Sequence, residues 1–100
     1  MPSPEDSAPS ARSGRAADRA RVDCFSVVAM AAPGTLPRIL ETFAQRGLVP
    51  ARLYAVRDER GELVVDLQAT GLDPAGAELI AAKLRTLVDV RAVLTYARDA

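Results

Sequence analysis

From Val22 onward the apolar positions run nearly unbroken, then recur every three to four residues, then alternate, and this cycle repeats once. The first run, Val22 to Met30, is β-rich, with Phe25, Val27 and Ala29 on one face and Cys24, Ser26, Val28 and Met30 on the other. Both faces are apolar enough to predict a central strand covered on each side. Pro33-Gly34 ends it. Thr35 is placed to cap the helix that follows, and Pro37 falls in the first turn, where a missing N–H costs no helical bond. The spacing predicts a helix over Leu36 to Arg46, its stripe made of Leu36, Ile39, Leu40, Phe43 and Ala44. Gly47 is a left-handed stop. Leu48 to Arg57 reads as a second strand, and Pro50 marks it as an edge. Ala51, Leu53 and Ala55 are expected inward, Arg52, Tyr54 and Val56 outward.

Asp58-Glu59-Arg60-Gly61 is a polar hairpin loop. In Glu62 to Thr70 the alternation is cleanest, with Leu63, Val65, Leu67 and Ala69 inward and Val64, Asp66, Gln68 and Thr70 outward. Asp73 then serves as N-cap and Pro74 as first helical residue, with Glu78 near the positive pole. The second helix buries Ala77, Ile80, Ala81, Leu84, Leu87 and Val88, and Arg85 suits its negative pole. A last strand runs from Val90 to Ala97, with 98–100 frayed. The order βαββαβ predicts an α+β, ferredoxin-like sandwich: a four-stranded antiparallel sheet with two helices on one face. Right-handed crossovers put strands one and three in the centre and two and four at the edges. Leu53, Leu63, Leu67, Leu84 and Phe43 are the positions expected to cost most on truncation.

Composition changes this picture at one end. Residues 1–20 are rich in Pro, Ser and charge and hold nothing apolar larger than alanine after Met1, so a disordered tail is expected ahead of a single domain at 21–100. The tail has no apolar core of a signal peptide, and no membrane-length apolar run occurs. The plain expectation is a cytoplasmic protein that meets no membrane. Hydrophobic residues make up 49% of the chain and aromatic ones only 4%, so the core must be aliphatic.

Charge and chemistry narrow the function classes. Lys+Arg and Asp+Glu both number 13, which leaves no basic excess for nucleic acid. The outward positions of the middle strands, Ser26, Val28, Met30, Val64, Asp66 and Gln68, offer no ring to stack on a base. The chain has no His, and Cys24 is its only cysteine, which reads as a small buried hydrophobe. An acyl-phosphate hydrolase of this topology would need a cationic glycine-rich turn after strand one, where Ala31-Ala32-Pro33-Gly34-Thr35 carries no charge. Asp58, Glu59, Asp66 and Asp73 are assigned to hairpin, strand surface and cap. No set supplies base and nucleophile together, so no catalytic residue, metal ligand or cofactor is expected.

The stretches Ala32-Pro33-Gly34-Thr35-Leu36-Pro37-Arg38-Ile39-Leu40 and Phe43-Ala44-Gln45-Arg46-Gly47-Leu48 resemble the ACT regulatory domain. Within that family they are most similar to the small, regulatory subunit of acetolactate synthase. The resemblance covers about Asp23 to Tyr96. It implies a homodimer paired through the strand-two edge and helix one. It also implies an effector, a branched-chain amino acid, held between the copies by Ala31, Ala32, Pro33, Gly34, Thr35 and Leu36 together with Val49 and Pro50. Relatives carry polar side chains, typically asparagine, where this chain has Ala31 and Val49, so the effector's ammonium loses its side-chain acceptors and binding is expected to be weakened or lost. The implied partner is a large, thiamine-diphosphate-dependent catalytic subunit in branched-chain amino acid biosynthesis. A stand-alone amino-acid sensor acting on another metabolic enzyme or regulator is the alternative, and an interaction subunit that senses nothing stays open beside both.

Overall fold

A computed structural model describes residues 21–99; the expected tail at 1–20, and Ala100, lie outside the described residues. The elements run β1 (Arg21–Met30), α1 (Thr35–Ala44), β2 (Arg52–Arg57), β3 (Glu62–Thr70), α2 (Pro74–Arg85) and β4 (Val90–Asp99). All pairings are antiparallel and the sheet order is β2-β3-β1-β4, which is the predicted ferredoxin-like βαββαβ arrangement with β1 and β3 central. The last strand does not fray at Ala97, because Arg98 and Asp99 stay in register with Val22 and Arg21.

Both helices pack on one face. Phe25, Val27 and Ala29 of β1 meet Val65, Leu67 and Ala69 of β3 beneath Ile39 and Phe43 of α1 and Ile80, Ala81 and Leu84 of α2. Phe25 and Phe43 pack edge to face, centroids 5.4 Å apart at 88°, the geometry favoured by the ring quadrupole. The opposite face of the sheet has no second layer among the described residues, so the expected cover on both sides of β1 is absent. Its rows read Arg52–Gln68–Cys24–Tyr96, Tyr54–Asp66–Ser26–Leu94 and Val56–Val64–Val28–Ala92.

Four local expectations need correction. The N-cap of α1 is Gly34, not Thr35. Thr35 is the first helical residue, is buried, and spends its hydroxyl on Asp89 at 3.1 Å. The buried stripe of α1 is therefore Thr35, Ile39, Thr42 and Phe43, while Leu36 and Leu40 are half-buried and Ala44 is exposed. The helix stops at Ala44 and closes through Gly47 N–H to Ala44 and Leu48 N–H to Phe43, with Gly47 left-handed at φ 71°. Second, β2 starts at Arg52 rather than Leu48, so Ala51, expected inward, falls outside it, and Ala51 and every residue of the strand are exposed. Leu53 and Ala55 do share the helix-side face with Leu67 and Val65, but α1 does not reach over them and Leu53 remains 43% exposed. Third, Leu87 and Val88 both lie beyond the end of α2: Leu87 still packs, half-buried, against the core, and Val88 is exposed. Fourth, Leu63 is half-buried, so neither it nor Leu53 belongs with the fully enclosed Leu67, Leu84 and Phe43.

Candidate functional site

The turn after β1 is built almost wholly by backbone. Ala31 N–H donates to Gly61 C=O at 3.2 Å, Ala32 N–H to Met30 C=O at 3.1 Å, and Thr35 N–H to Ala32 C=O at 3.0 Å. The Thr35 amide is thus already engaged. Gly34 and Leu36 amides have no partner among the described residues and face the positive pole of α1. Gly34 has an ordinary φ of −88°, so backbone freedom does not call for glycine there, and the space around it is limited only by the flexible end of Arg38. A Cβ on it would stand 3.0 Å from Arg38 Nη1. The Arg38 guanidinium lies over the turn and reaches Asp89 Oδ2 at 3.3 Å, the same oxygen that accepts from the Thr35 hydroxyl. Met30 N–H donates to the Asp89 carbonyl at 2.8 Å. One residue before β4 therefore ties the end of β1 and the start of α1 together.

Ala31, Ala32, Pro33 and Leu36 line a shallow hollow of about 310 Å³ with Leu63 and Arg57. Its walls are apolar and its lining contains one charged group, Arg57, and no carboxylate. Val49 and Pro50 are not part of it. They precede β2, which runs parallel to β1, so they lie at the far end of α1 from the turn. Ten helical residues span about 15 Å, and within one chain these two sets of residues do not meet. Val49 projects into solvent at 88% exposure.

Sequence reasoning missed Asp89, Arg38 and Arg57, and it missed Asp23. Asp89 gives no local signal, since its partners Thr35 and Arg38 are more than 50 residues away. Asp23 sits on the inward face of β1, only 1% exposed, and accepts from Arg21 Nε at 3.1 Å and Nη2 at 2.8 Å. That bond, first among its causes, lifts the Arg21 guanidinium above its ordinary value. Two further carboxylates have structural work. Asp58 Oδ1 accepts from Arg60 N–H and Glu62 N–H, each at 2.9 Å, and Asp73 Oδ1 caps α2 through Gly76 N–H at 2.7 Å. Among the described residues no group of three or more His, Cys, Asp or Glu is disposed to hold a metal ion, and no helix is long and apolar enough to cross a membrane.

A family model described as an ACT-like domain matches residues 16–99. No curated protein matches the chain. Among solved structures, the ACT domain from GTP pyrophosphokinase of Chlorobium tepidum superposes with a TM-score of 0.66 at 13% identity, covering 75% of this chain and 96% of that one. The C-terminal domain of the MgtC protein from Mycobacterium tuberculosis gives 0.65 at 15% identity, over 82% and 92% of the two chains. A homoserine dehydrogenase from Thiobacillus denitrificans gives 0.63 at 18% identity, over 80% of this chain but 18% of the dehydrogenase. At these identities the likeness establishes the fold.

Proposed function

The chain belongs to the ACT-like domain family, and from that premise we propose that it is a regulatory domain, without catalysis of its own, that works as a pair and modulates a catalytic partner. The observation that carries this is the separation of the turn at 31–36 from Val49 and Pro50 along α1. A two-fold pairing of β2 edges would bring the turn of one copy toward the start of β2 in the other. The bare β2 strand and the half-exposed flank of Leu36, Leu40 and Ala44 support such a pairing, because an apolar edge of this kind is ordinarily covered.

The finer reading, resting on residues 32–40 and 43–48, is a small subunit serving the thiamine-diphosphate-dependent large subunit of acetolactate synthase in branched-chain amino acid biosynthesis. The hollow beside the turn suits the carboxylate and apolar side chain of an amino acid and offers its ammonium nothing. A second reading, control of some other enzyme, is favoured by the structural neighbours in GTP pyrophosphokinase and homoserine dehydrogenase. Adding the purified chain to an acetolactate synthase large subunit should change its turnover, and no change would favour the second reading.

Effector sensing is tested by thermal shift. Valine, leucine and isoleucine at millimolar concentration should leave the unfolding midpoint unchanged. Ala31→Asn with Val49→Asn should create binding, which adds about 2.7 kcal/mol at a hundredfold excess over Kd. Micromolar binding by the unmodified chain would overturn the weakened site.

A further inference from the structure

The face of the sheet turned away from the helices is the largest feature left without a role. Five large apolar side chains stand exposed on it: Met30, Tyr54, Val56, Leu94 and Tyr96, the last two at 71% and 60%. They come from β1, β2 and β4 and flank the half-buried Val28 and Val64, so the patch crosses the whole sheet. Isolated apolar residues on a surface need no explanation, but a continuous face does.

We propose that this face packs against the same face of a second copy of the chain. The edge of β2 takes no part in it, so the inference stands apart from the pairing described above. Area is the first argument. Nine residues of register on β1, β3 and β4 and six on β2 give roughly 530 Å² per face, or just over about 1,000 Å² for two. That clears the ~1,000 Å² expected of a specific interface. Face-to-face sheets pack about 10 Å apart with nearly aligned strands, a separation that these Val, Leu and Tyr side chains can fill.

Charge selects the occupant. Asp66 lies in the middle row between Tyr54 and Ser26, and it forms no ion pair among the described residues. Arg52, one row along on β2, forms none either. A purely apolar partner would strand the Asp66 charge. A two-fold related copy brings one Arg52 and one Asp66 to each side, and an off-axis pair is then satisfied twice. Beside Asp66 the face dips into a hollow of about 280 Å³ lined also by Cys24, Ser26, Gln68 and Tyr96, open to a side chain from across the interface.

Sedimentation equilibrium of the full chain tests this. Leu94→Arg, at a position already mostly in solvent, should halve the assembly mass while far-UV circular dichroism and the unfolding midpoint of the dissociated form stay intact. Asp66→Arg and Arg52→Asp should each halve it too, and the two together should restore it. The effect should persist when β2 pairing is blocked by Ala55→Pro, so failure of the edge pairing and failure of the face pairing give different masses. An unchanged mass for Leu94→Arg would overturn the proposal. Failure of the charge exchange to restore the assembly would also overturn it, handing the face to a different protein.

Discussion

Gly76 is buried in the first turn of α2, and a Cβ there would stand 2.9 Å from Asp73 Oδ1 and 3.3 Å from Leu72 Cδ2. Alanine for glycine inside a helix ordinarily gains about 1 kcal/mol. Here it would push the capping carboxylate off the Gly76 amide, so Gly76→Ala should destabilise the domain. Asp73→Ala should cost about 1 kcal/mol through the same lost cap. Urea unfolding measures both, and a stabilised Gly76→Ala would show that the cap yields. Tyr96 offers a second test at this scale. The Cys24 thiol beside it, then desolvation and the Asp66 charge, raise the phenol above its ordinary value of 10.0. The folded state thus favours the protonated phenol. Its contribution is complete below the unfolded value and is lost as pH rises through the folded one. Alkaline spectrophotometric titration should bring the Tyr96 phenol back toward its ordinary range in Cys24→Ala.

Among the elements, depth of cover decides cost. Leu67 is fully buried in the core beneath the helices, and Leu67→Ala should lose about 2–5 kcal/mol. Leu53 shares its face, is its register partner and is 43% exposed, so Leu53→Ala should cost under about 1 kcal/mol in the isolated chain. Denaturant melts at submicromolar concentration compare them. Period and punctuation made the elements legible: the alternation from Leu63 to Ala69 and the Asp73-Pro74 start reappear in the structure. Cover was not legible. Nothing local distinguishes Leu53 from Leu67, because burial depends on where α1 crosses the sheet. Nor did the Thr35 position disclose its role, since its hydroxyl answers to Asp89 on the far side of the chain. Of the candidate site, the turn residues proved adjacent as their sequence proximity requires. Val49 and Pro50 came out at the other end of α1.

For the whole molecule, that separation is what calls for a second copy. Asp58 N–H donates to Glu62 C=O at 2.8 Å, so on the alternation of an antiparallel ladder Tyr54 and Val56 turn their amides to β3. Leu53, Ala55 and Arg57 turn theirs outward, to the free edge. Proline at position 55 removes one outward donor and leaves the ladder to β3 intact. The most direct measurement is sedimentation velocity of the full chain beside Ala55→Pro at micromolar concentration. The unmodified chain should sediment as an assembly of paired copies and Ala55→Pro at half its mass, with an unchanged circular dichroism spectrum. A single chain before substitution, or a mass that Ala55→Pro does not alter, would contradict a regulatory site completed across the β2 edge.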